Sequence, residues 1–315
     1  MPSPCTHDLS RLVRAGLIRA GQLAAVSAAA CLAYGVAVEP RSFRLRRVTV
    51  PVLPPGRRPI RVLHISDLHL TAGQSAKIAW VRGLAALAPD FIVNTGDNIA
   101  APAALKALRR ALAPFAGIPG VFVFGSNDYT GPSRVNPLRY FGLARRRYGG
   151  PAALPLPTAA LAGLLAEYGW TDIQERRAVV EAAGTTLEVR GCGDAHIGLD
   201  GYARVAGPPA GETLLAVTHA PYQRVLDQMV IDQASLILAG HTHGGQVCLP
   251  GGIALTTNCD LPRLQAKGLS VHRYGAGWAF LHVSAGLGQS PYAPYRFCCP
   301  PEATLLTLVP RDQPA

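Results

Sequence analysis

The chain predicts an α/β fold, and three observations carry that prediction. Short apolar runs recur at Arg61 to Ile65, Phe91 to Asn94, Val121 to Phe124, Leu214 to Thr218 and Leu236 to Ala239, each with the length and composition of a buried strand. Alanine- and leucine-rich stretches, Ala76 to Leu87 and Ala103 to Leu112, separate the first three and suit helices packed on a sheet. Each run is followed directly by polar residues able to bind metals, and the carboxyl ends of strands are where open α/β sheets build their ligand crevices.

From the N-terminus, Gln22 to Val38 is an alanine-rich run without charge. Arg11, Arg14 and Arg19 precede it, and Glu39, Arg41, Arg44, Arg46 and Arg47 follow. It reads as a membrane anchor, although it is shorter than the ~20 residues that span a hydrocarbon core; a signal-peptide core or a buried helix shares its composition. Basic residues at both ends leave its orientation open. Phe43 to Val52 alternates as a strand, and Leu53 to Pro59 is a proline-rich link. Residues 1–40 therefore read as an N-terminal segment with an anchor, and residues 41–315 as the main domain. Further on, Trp278 to Val283 and Ala303 to Val309 read as strands, and Gly244 to Gly252 as a hairpin-like turn.

A formal charge of +11 gives a surface that attracts anions: phosphorylated substrates, nucleic acid or acidic lipid headgroups. The 7 cysteines are odd in number, scattered and without Cys-x-x-Cys spacing, which argues against a disulfide framework and a thiolate zinc site.

The chemistry sits behind the five principal strands: Ser66-Asp67-Leu68-His69, Gly96-Asp97-Asn98, Ser126-Asn127-Asp128, His219, and Gly240-His241-Thr242-His243. Carboxylates, imidazoles and an amide or hydroxyl oxygen suit Mn, Fe or Zn. They are too many for one ion. Two ions about 3.5 to 4 Å apart, sharing a carboxylate, would use them all, and such a pair is the standard device for displacement at phosphorus. Singly, each residue also has an ordinary reading, as a turn-capping acid or a hydrogen-bonded core histidine. Jointly, and with glycines that let the last block aim two imidazoles at one point, they read as a site.

These blocks resemble the calcineurin-like metallophosphoesterase superfamily, whose ordered signature is Asp-x-His, Gly-Asp, Gly-Asn-His-Asp/Glu, His and Gly-His-x-His. The contexts LHISDLHL, TGDN and AGHTHGGQ resemble its membrane-associated branch, which includes hydrolases of lipid-linked sugar pyrophosphates. The resemblance implies a two-sheet β-sandwich flanked by helices. It also implies a first metal held by Asp67, His69, Asp97 and His243, and a second by Asp97, His219, His241 and a residue of the third block. Asp97 would bridge them. Asn98 would contact substrate or shape the turn.

The third block departs from the pattern, reading Gly125-Ser126-Asn127-Asp128. Without a gap, Ser126 falls at the ligand position and Asn127 at the family's catalytic histidine; shifted by one, Asn127 is the ligand and Asp128 replaces the histidine. The missing histidine predicts a substrate with a good leaving group, such as a pyrophosphate or aryl phosphate, unless His196 or Asp194 supplies the acid from another loop. The stretch from Arg134 to Trp170, with Arg139, Arg145, Arg146 and Arg147 among Tyr140, Phe141 and Tyr148, reads either as a cap facing an anionic lipid or membrane surface or as a solvated basic loop.

The expected function is hydrolysis of a phosphodiester or pyrophosphate in a phosphorylated small molecule or a lipid. A nuclease or cyclic-nucleotide phosphodiesterase is the second reading, disfavoured because no nucleic-acid recognition module is visible. A non-catalytic metal-binding scaffold is the third, and no protein partner can be inferred.

Overall fold

The computed structural model describes residues 4–132 and 154–312. A long helix, α1 (Pro4–Ala37), leads into β1 (Arg44–Leu53) and β2 (Ile60–Ile65). Then follow α2 (Ser75–Gly83), β3 (Phe91–Asn94), α3 (Leu105–Leu112), β4 (Gly120–Phe122), the single turn α4 (Ser126–Tyr129), α5 (Thr158–Glu167) and β5 (Trp170–Asp172). The second half comprises β6 (Arg177–Ala182), β7 (Thr185–Cys192), β8 (Leu214–Thr218), α6 (Gln223–Ile231), β9 (Leu236–Ala239), β10 (Gly268–Tyr274), β11 (Gly277–Val283) and β12 (Glu302–Pro310).

Two six-stranded sheets result, ordered β1-β12-β2-β3-β4-β5 and β10-β11-β9-β8-β7-β6. Their central strands are mostly apolar on both faces because both faces are covered. In β9, Leu236 and Leu238 face the opposing sheet while Ile237 and Ala239 face α6; in β2, Ile60 and Val62 point between the sheets while Leu63 and Ile65 meet the outer helices. Leu108 and Leu112 of α3 and Leu161 and Leu165 of α5 cover the first sheet, and Val225, Leu226 and Met229 of α6 cover the second. The arrangement is the expected helix-flanked two-sheet sandwich.

The five principal strands form within a residue or two of their expected bounds. Elements that did not stand out in the sequence are β6 and β10, whose outer faces carry charged and polar residues at sheet edges, β7, which buries Glu188 and Arg190 within its run, and β5, α4, α5 and α6. The basic and aromatic residues Arg134, Arg139, Tyr140, Phe141, Arg145, Arg146, Arg147 and Tyr148 lie outside the described residues; the rest of that stretch is α5 and the start of β5. The hairpin-like turn region forms where it was expected. It opens with a 3-10 turn at His243–Gly245 and ends in a tight turn in which Leu249 N–H donates to Ile253 O at 2.9 Å, beside the antiparallel bridge of Cys248 and Ala254.

Helix α1 is twice the length of the uncharged run that announced it, 34 residues, and from Arg14 to Ala37 nearly all of it is exposed. Its last turn is tied to the sandwich. Arg296 N–H donates to Gly35 O at 2.9 Å, Tyr34 meets Phe297 edge-on with ring centroids 6.3 Å apart, and the buried Glu39 carboxylate accepts from the backbone N–H groups of Cys298 and Cys299. The contacts of the main domain thus reach back past residue 41.

Leu238 is fully buried between the sheets, whereas Val179 on edge strand β6 is 70% exposed. Leu238→Ala is expected to cost about 2 to 5 kcal/mol in urea unfolding, and Val179→Ala less than about 0.5 kcal/mol.

Candidate metal centre

The loops after β2 and β3 stay paired beyond the strands. Asp67 N–H donates to Gly96 O at 2.8 Å, His69 N–H to Asp97 O at 2.9 Å and Leu70 N–H to Asn98 O at 3.0 Å. This places Asp67, His69 and Asp97 together. The local backbone is unusual: Asp67, His69, Asp97, His241 and His243 all have positive φ, between 40° and 68°. Non-glycine residues occupy that region at a cost, and such residues cluster at functional sites. Close approach is made possible by Gly125, where any Cβ would collide with the Asp97 carboxylate and the His219 ring.

Four ligand atoms, from Asp67, His69, Asp97 and His243, lie within 4.8 Å of one another. His69 Nε2 is 3.2 Å from His243 Nε2 and 3.4 Å from Asp97 Oδ2, and His243 Nε2 is 3.6 Å from Asp67 Oδ1. A second group adjoins the first through Asp97. His219 Nε2 stands 3.7 Å from Asp97 Oδ2, Asn127 donates to Asp97 from its side chain at 2.8 Å and its backbone at 2.7 Å, and the His241 ring lies 5.3 Å from that of His219.

The partners on the far side of each imidazole set which nitrogen faces inward. Thr95 O accepts from His219 Nδ1 at 2.6 Å, and Gly288 O from His243 Nδ1 at 2.8 Å, so both rings turn Nε2 toward the carboxylates. His241 Nε2 meets Asn258 O at 3.3 Å. Carbonyl acceptors of this kind orient metal-binding histidines. His219 Nε2 is itself buried and makes no hydrogen bond.

Burial dominates the electrostatics. It holds His69 and His241 well below the ordinary histidine range and lowers His243 to about 4 despite Asp67. It raises Asp97 to about 7, with Asp67 and Asp128 adding to the rise and His219 opposing it. For His219 burial pulls downward, but Asp97, Asp194 and Asp67 together outweigh it and raise the group to about 9. Three neutral imidazoles beside crowded carboxylates form a donor set of nitrogen and oxygen, and with the orphaned His219 Nε2 aimed into it, able to donate once its proton is displaced, this set fits a divalent cation.

The altered third block has a clear division of labour. Asn127 is the residue that lies on Asp97, and Ser126 is half-buried beside it. Asp128 is buried, with Oδ2 accepting from Asp97 N–H at 2.7 Å and Gly125 N–H at 3.1 Å, and Oδ1 accepting from Asn98 N–H at 2.7 Å. Its oxygens are committed to the loop backbone. Asn98 is likewise engaged, accepting from Asn94 Nδ2 at 2.7 Å and donating to Asp128 at 3.3 Å. By contrast His196 is half-buried at the rim, its ring 4.3 Å from that of His241 and its Nδ1 3.0 Å from Tyr222 Oη. Asp194 is buried beneath, accepting from His196 N–H at 2.8 Å.

Supporting residues to which the sequence assigned no role surround these groups. Ser66 Oγ donates to Asp67 Oδ2 and accepts from Thr95 Oγ1 at 2.6 Å; Thr95 Oγ1 in turn meets His64 Nε2 at 3.0 Å, and His64 Nδ1 meets His282 Nδ1 from the other sheet at 3.0 Å. Arg296, fully buried, donates to Gly288 O at 2.6 Å and Ala285 O at 2.8 Å, fixing the loop that receives His243. Ser66 and Thr95 flank visible motifs and could have been suspected; Arg296 had no signal.

Residues 60–245 match the family model described as Calcineurin-like phosphoesterase. The chain belongs to that family. The phosphoesterase is 26% identical over 306 residues to the uncharacterized metallophosphoesterase YkuE of Bacillus subtilis, covering 91% of this chain and 94% of that protein. It is 25% identical to the phosphodiesterase YaeI of Escherichia coli over 284 residues, 86% of this chain and 90% of that one. Among solved structures, TT1561 of Thermus thermophilus aligns with a TM-score of 0.39 at 13% identity, over 73% of this chain and 91% of that chain.

Metal ligands must lose their protons, so metal binding to the phosphoesterase should release protons at neutral pH. Asp97 and His219, raised to about 7 and about 9, bind protons in the metal-free protein that a cation must displace. The apparent affinity for Mn is expected to rise with pH through this window and level off above it. Titration calorimetry in two buffers of different ionisation enthalpy checks both the release and its sign.

Proposed function

We propose that this metal-dependent phosphoesterase hydrolyses a phosphodiester or pyrophosphate bond using two divalent ions that share Asp97. The observation carrying the reading is the place of Asp97, within 3.4 Å of His69 in the first group and in contact with Asn127 and 3.7 Å from His219 in the second. Asp67, His69 and His243 would complete one ion's protein ligands, and Asn127, His219 and His241 the other's. Bound there, the ions supply Lewis acidity toward phosphoryl oxygens and a water activated for attack.

The protein's own contribution is positioning and proton handling. Asp128 clamps the loops of Asp97 and Asn98, which makes it a positioning residue and leaves the catalytic-acid role to another group. His196 is the candidate for that role. Its ring stands at the rim beside His241, with Tyr222 fixing one nitrogen and Asp194 holding its backbone. From there it can protonate the leaving oxygen as the bond to phosphorus breaks.

A relative bearing the name phosphodiesterase supports a diester substrate. The stretch Arg14–Arg41, most of it helix α1, is long and apolar enough to cross a membrane and supports membrane attachment, and with it a lipid-linked or sugar-nucleotide pyrophosphate as the substrate class. Residues 1–40 would be the anchor segment and residues 41–315 the catalytic domain, joined through Glu39.

The test uses the full chain with Mn and bis-p-nitrophenyl phosphate. Turnover with about two metals per chain, abolished by Asp97→Asn, is the expected outcome; a metal-free, inactive but folded protein would sink the reading. His196→Ala should slow an alkyl phosphodiester by about 10²- to 10⁴-fold while changing the p-nitrophenyl ester little, because only the poor leaving group needs the proton. Equal losses on both substrates would remove His196 from that role.

A further inference from the structure

The sheet topology fixes where the apolar helix meets the catalytic machinery. Strand β12 runs antiparallel to β2, with Thr304 opposite His64, and parallel to β1, with Arg44 opposite Glu302. The carboxyl end of β2, which carries Asp67 and His69, therefore lies at the same end of the sandwich as the start of β1. Helix α1 ends there. The residues that receive its last turn, Arg296 to Cys299, also hold the metal loop: Arg296 contacts Gly35 through its backbone and Gly288 through its guanidinium, and Gly288 O receives His243.

Beside this junction stands an exposed apolar rim. Val247 and Cys248 pair with Phe297, which packs on Tyr34, and the turn that follows carries Leu249, 51% exposed, and Ile253, 46% exposed. Tyr292, 53% exposed, belongs to the neighbouring loop, where Gln246 donates to Ala293 O at 3.0 Å. Exposed Arg41, Arg44 and Arg47 follow the helix at the same end. Apolar loop tips with a basic surround suit the interface of an anionic bilayer, where side chains of this kind sit ~5 to 10 Å into the headgroup and acyl boundary.

We propose that the metal-bearing end of the sandwich is its membrane-facing end, with the Leu249–Ile253 turn resting in the bilayer surface. The substrate is then an amphiphile whose phosphoester lies at headgroup depth and enters the site along the interface. This rests on the reading of the site as a phosphoesterase and of α1 as an anchor. It goes beyond both in assigning an orientation and a lipid-contacting rim.

The test places tryptophan at two exposed positions of the full chain in phosphatidylethanolamine and phosphatidylglycerol vesicles, with and without brominated acyl chains. Ile253→Trp reports the rim. Ile231→Trp, at the end of α6 and 61% exposed, reports the opposite end, because α6 leaves the His219 loop and returns to the start of β9. Relative to the unmodified chain, the emission added by Ile253→Trp should be quenched by brominated lipid and that added by Ile231→Trp should not. Leu249→Trp repeats the rim reading should Ile253→Trp not fold. Equal quenching at both ends, quenching at neither, or failure of the chain to float with the vesicles overturns the proposal. Hydrolysis of bis-p-nitrophenyl phosphate by the same variants separates the two claims: turnover without rim quenching keeps the enzyme and removes the orientation, while rim quenching without turnover keeps the orientation and removes the activity.

Discussion

Asp97 is the group on which the rest of the centre depends. Its carboxylate is buried, faces Asp67 across the cluster, and is contacted by His69, His219 and Asn127 from three other loops. Burial disfavours a charged acid, and a second acid nearby disfavours it further. Of the imidazoles only His219 is held charged against it, since burial keeps His69, His241 and His243 neutral. A cation resolves the conflict at once, because it meets the carboxylates as a counter-charge and the neutral nitrogens as lone-pair donors.

Holding such a group together requires strained backbone. Five residues of the cluster adopt positive φ, and residues in sparsely populated regions cost of order 1 to 3 kcal/mol each. The sandwich sustains this because every ligand loop springs from a strand buried on both faces. Asp128 adds a local brace by accepting from the backbone of both the Asp97 loop and its own. The departure from the family pattern in the third block therefore spares the scaffold, and the ring of His196 stands beside that of His241 at the rim.

The region around Arg296 joins two parts of the molecule that are far apart in sequence. Its backbone receives the last turn of α1, its guanidinium holds the loop under His243, and Glu39 secures the two residues that follow its neighbour Phe297. A buried arginine whose two terminal nitrogens donate to carbonyl oxygens has little freedom to move. The N-terminal helix is thus continuous, through hydrogen bonds, with the metal loop.

What the amino-acid sequence determined by itself was most of the doubly buried strands and the chemistry placed after them. A strand covered on both faces leaves an unbroken apolar run, and Asp and His at its end stay visible as departures from that run. Edge strands β6 and β10, with mixed faces, left no such trace, and neither did β7, whose apolar run is broken by the buried pair Glu188 and Arg190. Tertiary structure alone decided that Asn127 lies on Asp97, that Asp128 turns to the backbone, and that Thr95, Gly288 and Asn258 orient the histidines through their carbonyls. Every residue type carries a carbonyl, so sequence cannot mark which one accepts. The same holds for the meeting of α1 with the catalytic end, which depends on strand direction and register, properties that arise only when segments distant along the chain pair.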